Sequence, residues 1–312
     1  MNTFSPFKQI AFENVPETPH VPHHYSYAAD NYLTVESKHF GAVKTFYKTM
    51  GSGPDLLLVH GFMTTSYSWR YVIKPLAAHF RVIALDLPGA GRSSKPASGY
   101  HPDNLADFIS EFTSALQIEK PLAIGNSLGG YLCMRLMLKN PGAFKRLVNL
   151  HSPGLVTTRM RALDIVLGLV PPAERFVEFL VNRDPERWVH QNIHYYDETL
   201  KSREEHREYA APLRSADGLH AFYLMLKETL AVAPMEQFER DLKRNAFVSA
   251  DRLQLIYAKD DPMVPADVGK RMNAILPQAQ FHWLPRGSHF AHVDAPELFL
   301  EKALPFLLAG KA

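Results

Sequence analysis

The sequence predicts an α/β fold, with a mostly parallel central sheet flanked by helices and an inserted helical cap. Three observations predict it. Short apolar runs recur without polar alternation, the mark of strands covered on both faces. Segments with helical apolar spacing stand between those runs. From about 154 to 246 the alternation stops and only helical patterns remain. Strand, helix and strand in steady order give right-handed crossovers and a parallel sheet.

Residues 1–31, with Pro6, Pro16, Pro19 and Pro22, read as an irregular arm. Glu13 and Glu17 interrupt it and no apolar stretch follows Lys8, so it lacks the pattern of a secretory signal. The first part of the core is expected over 32–153. Residues 33–37 alternate and 43–48 follow Gly41, which predicts an antiparallel pair. After a Gly/Pro turn, 55–60 is apolar almost throughout, and the texture returns at 81–86, 121–125 and 147–150. Helices are expected at 104–116, with Leu105, Phe108, Ile109, Phe112 and Leu116 on one face, and at 128–138. The cap, 154–246, carries helical patterns at 162–170, 174–181 and 220–230. The second part of the core, 247–312, adds strands at 253–257 and 281–284 and helices at 265–276 and 296–308.

Composition removes several function classes. The 312 residues are 46% hydrophobic and 21% charged, which suits a packed globule. A net charge of +2 without a Lys/Arg-rich run gives no electrostatic footprint for nucleic acid. No apolar stretch approaches the roughly 20 residues of a transmembrane segment. The single cysteine, Cys133, can form neither an internal disulfide nor a Cys-based zinc site. Unpaired, and with no export signal, it makes the cytoplasm the expected compartment. His20, His23 and His24 lack a ligand-spaced partner, and His190 and His194 lack a third ligand, so no metal is expected. Gly89-Ala-Gly91 lacks the third glycine of a dinucleotide motif and no P-loop occurs, so no cofactor is expected either.

Gly125-Asn126-Ser127-Leu128-Gly129 fits G-x-S-x-G directly after an apolar run and before a helix, the context of a nucleophile elbow. Small residues permit the tight turn that lifts the serine hydroxyl above the sheet. The new helix also points backbone N–H groups at it.

With these residues the chain resembles the α/β-hydrolase fold family, from Tyr32 to Leu308 apart from the divergent middle. His60-Gly61-Phe62 resembles the family's oxyanion loop, and 86–93 its D-x-P-G-x-G-x-S turn, with Ala90 in place of the usual His. The family order is nucleophile, acid, His. The resemblance implies a catalytic Ser127, an acid in 258–265 and His289. Aligning on Pro265 selects Asp261, with Asp260 as its rival; His292 matches a structural position. It also implies an oxyanion hole from the backbone N–H groups of Phe62 and Leu128.

Phe176, Trp188, Tyr195, Phe222 and other aromatic residues of the cap point to an apolar pocket, with Met63, His151 and Phe290 as further wall residues. The expected partner is a small-molecule ester with an apolar acyl or alcohol part. Residues 61–70 are similar to haloalkane dehalogenases and epoxide hydrolases, whose nucleophile is Asp where Ser127 stands. A lactonase or a carbon–carbon bond hydrolase would use the same triad. A ligand-binding receptor-like hydrolase with little turnover is the alternative from another class.

Overall fold

The computed structural model describes residues 6–169, 173–244 and 250–310. The expected boundary between 246 and 247 lies outside them. Eight strands form one sheet in the order β1-β2-β4-β3-β5-β6-β7-β8. They are β1 (Ala29–Ser37), β2 (Gly41–Met50), β3 (Asp55–Val59), β4 (Arg81–Leu85), β5 (Leu122–Asn126), β6 (Leu147–Leu150), β7 (Leu253–Ala258) and β8 (Gln280–Leu284). β1 and β2 pair antiparallel, and β2 is antiparallel to β4; every pairing from β4 onward is parallel. β1 begins at Ala29, inside the expected arm. Its polar start, Ala29-Asp30-Asn31, hides a strand that pairing with Thr49, Lys48 and Tyr47 imposes.

Burial on both faces explains the unbroken apolar runs. Leu57, Val59, Ile83 and Leu85 face one core cluster, together with Phe108, Phe112 and Leu132. Those residues come from α2 (Pro102–Ala115) and α3 (Leu128–Lys139), which follow α1 (Ile73–Ala77). Leu56, Leu58, Val82 and Ala84 face the other cluster, against Ile73 and Leu76 of α1 and Phe299 and Phe306.

Between β6 and β7 the described residues contain helices and no strand. These are α4 (Thr158–Leu169), α5 (Ala173–Asn182), α6 (Pro185–Asn192), α7 (Arg203–Ala210), α8 (Ala216–Thr229) and α9 (Val232–Arg244). α10 (Ala266–Ile275) joins β7 to β8, and α11 (Ala291–Asp294) and α12 (Pro296–Leu308) close the described chain. Pattern reading misses α7 and α9; the spacing of His190 and His194 predicts a helix there, and α6 ends at Asn192, short of His194. α7, Arg-Glu-Glu-His-Arg-Glu-Tyr-Ala, has no apolar stripe, and its start is fixed by Ser202, whose hydroxyl accepts from Glu205 N at 3.2 Å. No helix among the described residues is long and apolar enough to cross a membrane.

Candidate active site

The carboxyl ends of β3, β5, β6, β7 and β8 carry the loops that meet at the site. Ser127 stands between β5 and α3 at φ 52, ψ −118, a conformation L-residues avoid unless their surroundings impose it. Its amide donates to Leu150 O at 2.8 Å and its carbonyl accepts from Tyr131 N at 3.0 Å, so sheet and helix hold the turn from both sides. Neighbouring glycines make room: a Cβ at Gly125 would lie 2.5 Å from Gly130 N, and one at Gly129 would collide with Val59 O. The Ser127 hydroxyl has no hydrogen-bond partner among the described residues.

Asp261 follows β7 in a turn that saturates one of its oxygens. Oδ1 accepts from Met263 N at 2.7 Å and Val264 N at 2.9 Å. Oδ2 lies 2.8 Å from His289 Nδ1, and the carboxylate is wholly buried. Burial alone would raise this carboxyl, but the His289 charge and hydrogen bond, with the backbone donors, outweigh it and hold its pKa below the ordinary value. The neighbouring Asp260 is exposed. Of the two aspartates, only Asp261 reaches the histidine.

His289 is tied to the serine turn as well. Asn126, the residue before Ser127, donates from Nδ2 to His289 O at 3.0 Å, and so sets the two segments side by side. Sequence reasoning missed this amide; its place in the G-x-S-x-G motif was the only signal for it. Asp294 was missed too: it accepts from Ser288 N at 3.1 Å and, across the helical segment, from Tyr196 N at 2.6 Å. Burial pushes its carboxyl up to about 6, against those donors.

The loop after β3 comes up beside the serine, since a Cβ on Gly61 would lie 3.1 Å from Ser127 Cβ. His60 fixes that loop: Nδ1 donates to Gly61 O at 2.8 Å and Nε2 accepts from Leu87 N at 3.1 Å. Asp86 ties the next turn, with Oδ1 accepting from Ser66 N at 2.7 Å and Oδ2 from Arg92 N at 2.9 Å. Ala90 is buried in this turn. Leu128 opens α3, so its amide is one of the unpaired N–H groups at that helix start.

Phe62 and Met63 line a cavity of about 30 Å³ with Tyr209, Leu213, Phe222 and Met225. Phe62 stacks on Phe222 of α8 with centroids 5.1 Å apart. Phe290 is buried and meets the rings of His289 and Tyr195 edge-on at 5.2 and 5.8 Å. His151, expected on the pocket wall, stands away from that cavity. It is fully buried beneath His289, with both ring nitrogens taken by backbone groups. His292 is buried against the Trp69 ring at 4.4 Å.

The remaining candidates of the sequence are accounted for by ordinary contacts. His190 Nε2 lies 3.0 Å from Ile10 O, and His194 faces Glu198 at 3.4 Å. His23 meets Glu204 at 3.1 Å, and His24 meets Lys74 at 3.0 Å. Cys133 is buried in α3, where desolvation pushes its thiol pKa far up. A serine held out on a strained turn, with an imidazole–carboxylate pair tied to that turn through Asn126, can support attack on a carbonyl carbon.

Comparison with known proteins agrees with the fold. Residues 54–296 match the family described as alpha/beta hydrolase fold. A 2-hydroxy-6-oxo-2,4-heptadienoate hydrolase of Pseudomonas putida is 25% identical over 279 residues, covering 86% of this chain and 94% of that protein. An uncharacterized hydrolase of Bacillus subtilis, YugF, is 26% identical over 254 residues, covering 81% of this chain and 89% of its own. Among solved structures, a thermophilic esterase from Thermogutta terrifontis superposes with a TM-score of 0.69 at 20% identity, over 91% of this chain and 100% of that one.

Proposed function

The chain belongs to the α/β-hydrolase fold family, and on that premise we propose that it is a serine hydrolase cleaving a small to medium carboxylic ester with an apolar part. One observation carries the reading: Ser127 stands on a strained turn bonded through Asn126 to His289, which in turn holds Asp261 at 2.8 Å.

A serine hydroxyl is a weak nucleophile until a base takes its proton. His289 serves as that base through Nε2, because Nδ1–H is committed to Asp261. The carboxylate, kept ionised, fixes the tautomer and stabilises the imidazolium that forms. Oγ then attacks the carbonyl carbon, and the oxyanion falls to the amides of Phe62 and Leu128. One such preorganised donor is worth about 3 kcal/mol of barrier. His289 returns the proton to the departing alcohol, and water, activated by the same imidazole, releases the acid from Ser127. No metal or cofactor is needed for these steps.

Helices α4 to α9 act as a cap in this account. Phe222 and Met225 of α8 meet Phe62 and Met63 around the small cavity and make this side of the site apolar. A second reading, hydrolysis of a carbon–carbon bond beside a ketone, is favoured by the Pseudomonas putida relative, named for such a substrate. The test is turnover of p-nitrophenyl butyrate, a lactone panel and a 2-hydroxy-6-oxo dienoate by wild type and Ser127→Ala. The ester reading expects ester turnover that falls at least about 10⁴-fold in the variant. Dienoate turnover far above ester turnover would replace the ester by the carbon–carbon bond. Equal, negligible rates from both proteins on every substrate would leave a binding protein.

A further inference from the structure

His151 takes no part in the steps above, yet it is completely buried and stands at φ 52. His enters the left-handed region more readily than most residues, but it stays there only where its neighbours hold it. Its amide extends the β6–β7 ladder, donating to Ile256 O at 2.9 Å. Its ring spans the end of β7 and the loop after β8. Nδ1 lies 2.9 Å from His289 O, and Nε2 lies 2.6 Å from Ala258 N. A carbonyl only accepts and an amide N–H only donates, so Nδ1 carries the proton and Nε2 is the acceptor. One neutral tautomer satisfies both partners. Neither nitrogen is left for a substrate or a metal ion, although His151, Asp261 and His289 each offer an atom within 4.8 Å of the others.

The carbonyl that His151 grips is shared. His289 O also accepts from Asn126 at 3.0 Å, so the serine turn and the strand-end histidine pin one backbone group. The other partner, Ala258, ends β7 just before the turn that carries Asp261. The His151 and His289 rings lie 5.8 Å apart and 24° from parallel. The Asp261 bond fixes only one edge of the His289 ring. Where the opposite edge points depends on where the backbone of residue 289 sits.

We propose that His151 is a positioning residue, a neutral imidazole clamp that joins the base loop to the acid loop and so aims His289 at Ser127. The proposal rests on the serine-hydrolase reading. Displacing a reacting group by about 1 Å costs on the order of 100-fold in rate, so a clamp of this kind is felt in kcat without any contact to substrate. Its loss should leave KM in place, because no binding group is removed.

Three variants separate bonding from filling. His151→Phe keeps the ring and removes both bonds. His151→Asn places an amide N–H near the Nδ1 position and suits a positive φ. His151→Gln reaches the Nε2 position and leaves His289 O to Asn126 alone. With p-nitrophenyl butyrate, kcat is expected to fall about 100-fold in Phe and Gln at nearly constant KM, and to return to within about fivefold in Asn. Wild-type kcat in His151→Phe, or an Asn variant no better than Gln, would overturn the clamp. If the Phe variant does not fold, the Asn and Gln pair decides. A second measurement is independent of turnover: the downfield NMR resonance of the His289 Nδ1 proton should persist in Asn and shift or vanish in Gln. If that resonance is unchanged in every variant, the clamp fails. If instead Ser127→Ala turns over like wild type, it is the serine reading that fails.

Discussion

The two halves of the site are held together by different kinds of bond. At the carboxyl edge of the sheet, apart from the Asp261–His289 pair, side chains bond to backbone: His60 to Gly61 O, Asn126 to His289 O, Asp261 to the amides of Met263 and Val264. Where α6 to α8 meet the core, a buried group of side-chain to side-chain bonds stands beside the Asp294–Tyr196 N bond. Arg70 pairs with Glu205 at 2.9 Å with both groups fully buried, and Tyr195 donates to the same carboxylate. Tyr67 donates to Glu204 at 2.9 Å, and the arm joins in through His23. Backbone partners set a loop's position whatever the neighbouring residue types. Side-chain pairs set only how strongly two bodies adhere. Changes in the first region should therefore act on rate, and changes in the second on stability.

The largest effect is expected at the acid. Asp261→Asn leaves the volume but lets the His289 ring take the wrong tautomer, and should lower kcat about 10⁴-fold. Asp260→Asn, on an exposed residue, should change it less than about twofold. Side-by-side kinetics check both, and a larger loss at Asp260 would undo the assignment of the acid. Next comes the helical interface. Arg70→Met strands the Glu205 carboxylate and should cost about 3–5 kcal/mol in urea unfolding, while kcat stays within a few-fold below the unfolding range. A kcat loss as large as that of Asp261→Asn would erase the distinction between the regions.

Smaller and graded is the response to acid. Burial pushes His151 down to about 4 from 6.5, and lowers His60 and His292 as well. The unfolded chain thus binds more protons between those limits, and stability is lost as pH falls from 6.5 toward 4. Asp294, raised to about 6, opposes the trend. His151→Asn removes one histidine and should flatten stability against pH by up to about 1.4 kcal/mol per unit in that window. An unchanged slope would mean that His151 is not buried neutral.

The same contrast explains what the sequence made legible. Strands announce themselves because both faces are buried, as at Leu56 to Val59, and the serine turn because its glycines have no room for a Cβ. Asp261 is singled out in the sequence by its spacing to Pro265, which precedes α10 as its N-cap. His151 was legible as a residue near the site but not as a clamp: its two partners lie 138 and 107 residues away. Arg70 and Glu205 are 135 residues apart, and neither pattern nor motif links them. α7 escapes for a related reason, since its buried face includes Glu205 and His206, which pattern reading assigns to solvent.

The central claim is a covalent one, that Ser127 is acylated by its substrate. Acid quench within the first turnover of p-nitrophenyl butyrate, followed by peptide mass spectrometry, tests it most directly. A butyryl group on the peptide carrying Ser127, absent in Ser127→Ala and accumulating in a variant slow to deacylate, is the predicted result. Full ester turnover with no acyl group at Ser127, or with one on another residue, would contradict it.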